Sequence, residues 1–207
     1  MAKYTDASCR LCRREGEKLF LKGDRCLSKK CAMEKRPFAP GQHGASKKTK
    51  MTDYGRQLRE TQKVKRTYGI LERSMKLCYQ RATIMKGMVG PNMLTLLERR
   101  LDNVVFRLGL ADSRSQARQM VNHALITVDG KTVNIPSFTI ELGNVIRVKE
   151  NKQDIAMFKE LKGMNLVTPK WLEFNSEKLE GKVLALPTRE DIDSNIQEHL
   201  IVEMYSR

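Results

Sequence analysis

Apolar residues recur at helical spacing in the second quarter of the chain. Steps of three and four residues place side chains on one stripe, and here they predict a single long helix from residue 54 to about residue 81. The apolar positions of this helix are Val64, Tyr68, Leu71, Met75 and Tyr79. Basic positions fall on a second stripe, centred about 145° from the first. They are Arg56, Arg59, Lys63 and Arg66. A solubilising face is the alternative, but only Glu60 and Glu72 interrupt the basic residues, so the pattern favours contact with phosphates.

A second set of apolar positions predicts a helix in residues 94–108, followed by Gly109 just beyond its C-terminus. Its members are Leu94, Leu97, Leu101, Val104 and Leu108. Ser113 and Gln116 form a capping-box pattern that opens another helix at about residues 114–124. Strand-like segments then follow at 126–128, 131–135 and 145–148, the first two joined by an Asp-Gly turn. Two short helices and a small curled sheet predict an α+β unit.

Two short helices joined by a turn are also typical of a helix-turn-helix DNA-binding domain. The connection from Gly109 to Asp112 is longer than such turns usually are. The helix pair also continues directly into strands. Both features favour the α+β unit.

The formal net charge of +15 is concentrated in the first half of the chain. Residues 1–50 carry +9, residues 51–100 carry +7, residues 101–150 carry +1, and residues 151–207 carry −2. Such a distribution predicts a polyanionic partner that is contacted mainly by the N-terminal half. Neither an apolar run of eighteen residues nor an apolar N-terminal segment occurs, so we expect a cytoplasmic protein without a membrane partner.

Four of the five cysteines lie in the basic N-terminal segment, in the pattern Cys9-x2-Cys12-x13-Cys26-x4-Cys31. Two close pairs separated by a loop are typical of a structural tetrahedral zinc site, and a closed site of this kind leaves no position for catalysis. The basic neighbours would stabilise the thiolates and could also contact phosphates. They are Arg10, Arg13, Arg14, Lys29 and Lys30. Four unligated thiols in a loosely ordered arm are the alternative. Cys78 lies alone on an apolar helical face and is predicted to be core.

Residues 34–55 predict a loop that could follow a phosphate backbone, since prolines and glycines interrupt regular structure there. Lys47, Lys48 and Lys50 make it basic. His43 has no second ligand at metal spacing, so a nucleic-acid contact or a turn is favoured over a metal ligand.

The segment LERRLDNVVFRLGLADSRSQARQMVNHALITVDGKTVNIPS, residues 97–137, resembles the small RNA-binding domain named after protein S-four of the small ribosomal subunit. Four other segments are similar to signatures of the same bacterial ribosomal protein family, so the resemblance extends over nearly the whole chain. They are APGQHG, YGRQLRETQKVKRTYGILER, TPKWLEF and EHLIVEMYSR. The four-cysteine arm resembles the zinc-carrying form of this family.

The resemblance implies a helical domain with an inserted RNA-binding module. On this basis we expect an N-terminal arm at 1–50 with one structural zinc ion, a helical domain formed by 51–92 and 166–207, and an α+β module at 93–165. Trp171, Leu172 and a helical segment from Ile192 to Val202 would then pack on the helix at 54–81.

The resemblance also implies the function and the partners. The family is a primary binder of the 5′ domain of 16S ribosomal RNA and nucleates small-subunit assembly. It lies beside two other small-subunit proteins where messenger RNA enters, and some members repress translation of their own messenger. No small-molecule substrate is implied.

The predicted RNA-binding positions fall in three groups. Those of the arm and loop are Arg10, Arg13, Arg14, Lys29, Lys30, Arg36, Gln42, His43, Gly44, Lys47, Lys48 and Lys50. Those of the long helix are Tyr54, Arg56, Gln57, Arg59, Lys63 and Arg66. Those of the module are Arg107, Ser113, Arg114, Gln116, Arg118, Gln119, His123 and Lys131.

Two features depart from the family. Ala124 stands where a glycine is usual, and the loop carries lysines where relatives often have arginine. Lysine cannot form the bidentate fork with phosphate, which weakens any role in unwinding messenger structure.

Two other functional classes are disfavoured. An RNA-modifying enzyme can carry a similar small domain, but this sequence has no phosphate-binding glycine loop, HExxH motif or deaminase pattern. A DNA-binding regulator would bind duplex DNA as tightly as RNA, which a competition experiment decides.

Overall fold

In a computed structural model of the chain, the described residues are 3–46, 50–164, 166–192 and 195–206. They form two compact units, Met1–Met93 with Ser194–Arg207, and Leu94–Asp193. Helices accompany one small antiparallel sheet, which confirms the α+β fold class. The second unit begins close to the predicted module boundary at 93 but continues to Asp193 rather than ending at 165.

The first unit is helical. Its elements are α1 (Ser8–Glu15), α2 (Ala32–Lys35), α3 (Asp53–Thr67), α4 (Glu72–Ile84) and α9 (Glu198–Tyr205), with one turn of 3-10 helix at Gly23–Cys26. Thr52 begins α3 as an N-cap, because its Oγ1 accepts a hydrogen bond from the N–H of Gly55 at 3.1 Å.

The predicted long helix is two helices, and the prediction of a continuous element was wrong. The break falls at Gly69, whose φ of +62° lies in the left-handed region that glycine adopts without strain. Val64 before the break and Met75 after it are both fully buried. The apolar spacing therefore runs through the break, which is why periodicity alone does not reveal it.

The C-terminal helix packs against α3, as the family resemblance implied, although it spans Glu198–Tyr205 rather than residues 192–202. Ile201 is fully buried. The ring of Tyr205 stacks on that of Tyr79 at a centroid distance of 5.3 Å, and its hydroxyl donates to Glu72 Oε1 at 2.6 Å.

The second unit combines short helices with a sheet. Its helices are α6 (Leu101–Arg107), α7 (Arg114–Asn122) and α8 (Ala156–Leu161), preceded by α5 (Val89–Glu98), which spans the boundary between the units. Its strands are β1 (Ile126–Val128), β2 (Lys131–Thr132), β3 (Val145–Val148), β4 (Leu172–Asn175) and β5 (Glu180–Val183). They pair antiparallel in the order β2-β1-β3-β5-β4. The pair α6–α7 and one face of the sheet enclose a continuous apolar core.

Trp171 and Leu172 lie in the core of the second unit, so the expectation that they pack on the helix at 54–81 was wrong. Leu172 begins β4, an edge strand that pairs with β5. Buried and exposed residues alternate in β5, but the strand contains Gly181. The sequence therefore did not indicate a strand there.

Two smaller predictions in this unit also changed. The helix expected over 94–108 is interrupted at Arg100, which lies between α5 and α6. Arg100 pairs with Thr139 in an isolated antiparallel β-bridge. The strand expected over 131–135 is only Lys131–Thr132. Strands β1 and β3 were predicted with their observed limits, and this part of the prediction is confirmed.

Within the described ranges, no helix is both long and apolar enough to cross a membrane.

Candidate nucleic-acid interface

Three predicted RNA-binding residues of the second unit are exposed. Gln119 belongs to α7, His123 follows its last turn, and Lys131 begins β2. Their side chains are accessible to a large polyanion. Lys131 supplies a positive charge for phosphate, and Gln119 and His123 supply polar groups that can bind phosphate or ribose.

Buried acceptors hold two arginines of this unit in place. The carboxylate of Glu98, 1% exposed, accepts from Arg107 Nε at 3.0 Å and Nη2 at 2.9 Å. It also accepts from Asn103 Nδ2 at 2.6 Å, and Asn103 Oδ1 accepts from Arg114 Nε at 2.7 Å. The Arg114 guanidinium lies 4.5 Å from the centroid of the Phe106 ring. Sequence reasoning missed Glu98 and Asn103, although polar residues inside an apolar helical repeat are a usable signal.

Other predicted contacts of this unit have internal roles. Ser113 is buried, and its hydroxyl caps α7 by accepting from the N–H of Gln116 at 3.3 Å. The side-chain amide oxygen of Gln116, Oε1, accepts from the backbone N–H of Asp112 at 2.9 Å. Arg118 is 6% exposed and pairs with Asp102 at 3.3 Å. Burial lowers the pKa of Arg118, and the Asp102 charge opposes this effect. The interior positions of Ser113 and Arg118 correct the prediction that all these side chains face RNA.

The basic stripe of α3 meets acidic residues of the same unit. Arg59 and Arg66 both donate from Nη1 to Glu15 Oε1, the former at 3.2 Å. Lys63 Nζ lies 2.8 Å from Glu17 Oε1. Burial raises the pKa of Glu15 by more than the positive charges of Arg66 and Arg59 lower it.

The remaining predicted residues of α3 differ in exposure. Tyr54 and Arg56 are exposed. Gln57 is only 2% exposed, so it is part of the core of the first unit rather than its surface, contrary to its assignment as an RNA contact.

The N-terminal arm has an exposed basic surface. The predicted contacts that are exposed there are Arg10, Arg14, Lys29, Lys30 and Arg36. Arg13 is used internally: its Nε donates to the carbonyl of Phe38 at 2.9 Å, and its guanidinium lies 5.2 Å from the centroid of the Phe38 ring. This contact fastens the start of the loop to α1.

The loop residues Gln42, His43 and Lys50 are exposed, and Gly44 is half-buried in a turn where its N–H donates to Gly41 at 3.2 Å. Lys47 and Lys48 lie outside the described residues.

The four arm cysteines share one small region. Cys12, Cys26 and Cys31 are each 8% exposed, and Cys9 is half-buried. Burial raises the pKa of Cys12, a hydrogen bond from the Leu19 N–H lowers it, and negative charge at the other three sulfurs raises it again. Cys26 Sγ accepts from the N–H of Lys22 at 3.4 Å. Each of the other three sulfurs is thus close enough to Cys12 for its charge to raise the Cys12 pKa.

The three buried thiols and the half-buried Cys9 fit zinc by donor type, because thiolate is the preferred ligand of structural zinc sites and neighbouring thiolates need a cation. Over the described ranges, no group of three or more His, Cys, Asp or Glu side chains is placed to hold a metal ion. The donor set thus suits zinc, while its sulfurs are not gathered at ligand distances.

Two family models match the chain in succession. The model described as "Ribosomal protein S4/S9 N-terminal domain" matches residues 3–98, and the "S4 domain" model matches residues 99–146. The second match begins near the start of the second unit, includes α6, α7, β1 and β2, and ends within β3.

Curated relatives match the chain from end to end. Small ribosomal subunit protein uS4 of Caldicellulosiruptor saccharolyticus is 58% identical over 209 residues, covering all of both chains. The proteins of that name from Clostridioides difficile and Solidesulfovibrio magneticus are 58% and 55% identical, again over the full length of each chain.

Proposed function

The chain belongs to the S4 family of small-subunit ribosomal proteins, and we propose that it binds 16S ribosomal RNA as a structural constituent of the small ribosomal subunit. Its role is to hold RNA, not to catalyse a reaction. We place it in the cytoplasm, on the small ribosomal subunit.

The observation that carries this proposal is the full-length similarity, with both matched segments present and in the same order. The fold supports it independently. The segment matched by the S4 domain folds as a helix pair on a small sheet and exposes Gln119, His123 and Lys131. Arg107, by contrast, is held by the buried carboxylate of Glu98 and is not counted among these open contacts.

We further propose that the target is the 5′ domain of 16S RNA at a junction of several helices, and that binding there nucleates assembly. Neighbouring small-subunit proteins would then lie around the channel by which messenger RNA enters. Binding to its own messenger, with repression of translation, is a second proposed activity of the same surface.

Recognition rests on shape and phosphates more than on base edges. Folded RNA helices present a wide minor groove and converging backbones, which suit arginine forks and lysine charges. Aromatic residues are 6% of the chain, so stacking on unpaired bases contributes less. With about ten phosphates neutralised, the slope of log K against log salt should be near −9, whereas a slope near −2 would contradict this mode of binding.

The test of the proposed function is competition. The full chain is bound to the 16S 5′ domain near physiological salt against excess transfer RNA and excess duplex DNA. Selective binding to the 5′ domain supports the proposal. Equal binding to all three would leave only a general polyanion binder.

A matched pair of variants tests the surface. Lys131→Ala should weaken binding to the 5′ domain and reduce the salt slope by about 1, since one phosphate contact is lost. Lys182→Ala removes the same charge from β5, where the side chain is also exposed, and should leave affinity unchanged. Equal effects of the two substitutions would show that net charge alone matters.

We further propose that the arm binds one structural zinc ion. Its ligands would be the thiolates of Cys9, Cys12, Cys26 and Cys31. The burial of Cys12, Cys26 and Cys31 supports this, as does the effect of the other three sulfurs on the pKa of Cys12, because a cation removes the repulsion among such thiolates. Bound zinc would stabilise the fold of the arm and perform no chemistry.

Metal content and limited proteolysis test the zinc proposal. Cys9→Ser should lower bound zinc and expose residues 1–35 to protease. Cys78→Ser is the control. This thiol is buried in α4 and does not belong to the four arm cysteines, so the substitution should leave the metal content unchanged. Absence of zinc from both variants and from the parent, with the arm equally resistant, would remove the proposal.

A further inference from the structure

Two acidic residues at the end of α1 cover most of the basic stripe of α3. Glu15 Oε1 accepts from both Arg59 Nη1, at 3.2 Å, and Arg66 Nη1. Glu17 Oε1 lies 2.8 Å from Lys63 Nζ. The basic stripe of α3 has four cations, all predicted to contact phosphate. Three of them therefore already face carboxylates.

The two ion pairs of Glu15 are largely shielded from solvent, whereas Glu17 is 40% exposed. The Glu15 side chain is 3% exposed, and those of Arg59, Arg66 and Lys63 are 23%, 20% and 14% exposed. Arg56, the fourth member of the stripe, differs: it is 60% exposed and lies 3.8 Å from an exposed Asp53. Only the first turn of the stripe thus resembles an open phosphate-binding face.

Helix stability does not explain the position of Glu15. It is the last residue of α1, followed by the cap residue Gly16, and a carboxylate is unfavourable at the C-terminal end of a helix dipole. The arginines of α3 compensate for this cost. The carboxylate therefore serves the contact with α3 and not the helix that carries it.

A covered cation adds little to general polyanion binding. Exposed lysines and arginines gain affinity because phosphate contact releases condensed counterions from the nucleic acid, and they had no fixed partner to lose. A cation that already holds a carboxylate must exchange one anionic partner for another. Covering a basic face thus lowers affinity for wrong polyanions, which is one way to gain specificity.

We propose that Glu15 and Glu17 are specificity-determining residues that keep Arg59, Lys63 and Arg66 from binding arbitrary nucleic acids. Selectivity for the correct RNA then depends on the exposed polar surface elsewhere on the chain, while the α3 stripe contributes little to unspecific attraction. This inference rests on the proposed function as an RNA-binding protein.

The test uses the full chain carrying Glu15→Gln and Glu17→Gln together. Binding to the 16S 5′ domain and to random duplex DNA is measured between 50 and 250 mM salt at pH 7.5. Duplex DNA affinity at low salt should rise about tenfold, and its salt slope should steepen by about 2 to 3, one unit for each uncovered cation. Affinity for the 5′ domain should rise less, so that the ratio of the two affinities falls.

A control variant separates the local effect from net charge. Glu173→Gln with Glu177→Gln removes the same two charges from exposed positions of the second unit. It should leave the duplex DNA slope unchanged. An equal response of the two double variants, or no response of the first, would overturn the inference.

Loosening of the arm is handled by a milder variant. Glu17→Gln alone leaves Lys63 with Glu60 Oε1 at 3.3 Å and with the carbonyl of Asn195, so the fold should persist. Lys63 loses one of its two carboxylate partners, so the DNA slope should steepen by only a fraction of 1. A slope as steep as that of the double variant would also contradict the inference, because Glu15 still covers Arg59 and Arg66. The proposed function fails separately, if the unaltered chain shows no preference for the 5′ domain.

Discussion

Asp102 is predicted to be essential for the stability of the second unit. Its carboxylate is 4% exposed and accepts from Arg100 Nε at 3.1 Å and Nη2 at 2.9 Å. Arg118 Nη1 donates to the same carboxylate at 3.3 Å. Because Arg118 is 6% exposed, its charge depends on Asp102 for compensation in a poorly solvated site.

The magnitude follows from which partner is removed. Asp102→Ala leaves the Arg118 guanidinium buried without its carboxylate, and such a change costs about 3–5 kcal/mol. Arg118→Met removes the buried charge and keeps most of the volume, while Arg100 still neutralises Asp102. Its cost should be smaller, about 1–2 kcal/mol. A domain is stable by only about 5–15 kcal/mol, so the first change is severe.

Urea denaturation followed by circular dichroism measures both changes, with equal m-values as the check that the compactness of the two states is unaltered. Asp53→Ala is the control. Its pair with Arg56 spans 3.8 Å with side chains 87% and 60% exposed, so it should cost less than about 0.5 kcal/mol.

RNA binding decides between the two roles of Arg118. Under conditions where Arg118→Met is folded, affinity for the 5′ domain should equal that of the parent chain. A loss of affinity with little loss of stability would refute the structural assignment and restore Arg118 as an RNA contact.

Three further predictions concern the backbone, the core and pH. Ala124 has a φ of +54°, so Ala124→Gly should relieve strain and stabilise the second unit by about 0.5–1 kcal/mol, seen as a higher Tm; a lower Tm would contradict this reading. A Cβ added at Gly181 would lie 2.5 Å from Cδ2 of Leu108, which is fully buried. Gly181→Ala should therefore lower the free energy of unfolding, measured by urea denaturation, by about 1–3 kcal/mol. An unchanged midpoint would show that Leu108 can move. Burial raises the pKa of Glu72, but hydrogen bonds from Lys65 and the Tyr205 hydroxyl outweigh it and lower the pKa overall. The stabilisation from Glu72 is therefore present above its ordinary pKa of 4.5 and is lost as pH falls through the lowered value, so Glu72→Gln should destabilise the chain at pH 7 and have little effect at pH 2.

The outcome at α3 shows how far sequence patterns reach. The basic stripe was correctly located on one helix, because side-chain direction follows from 3.6 residues per turn, whereas the predicted apolar stripe extends over both α3 and α4. The pattern does not indicate which residues pack against a stripe. Glu15 and Arg66 are far apart in sequence, and no local pattern indicates that they share a hydrogen bond.

The strands of the second unit likewise divide into those with a local sequence signal and those without one. β1 and β3 were predicted from β-branched residues next to a turn signal, both of which are local. β4 and β5 were missed because their sequences, LEFN and EGKV, contain one β-branched residue between them, and β5 gains stability from pairing with β3, which is distant in sequence. Trp171 was assigned to the wrong unit for the same reason.

The sequence by itself determined the α+β class, the basic character of the N-terminal half, the cysteine spacing and the family. Each depends on composition, on short-range periodicity or on motifs that are contiguous along the chain. Tertiary structure alone decided which cations are exposed, as with Lys131, and which are buried in ion pairs, as with Arg118. The physical reason is that desolvation and charge pairing depend on which segments meet in space, and residues of the same type therefore acquire different roles.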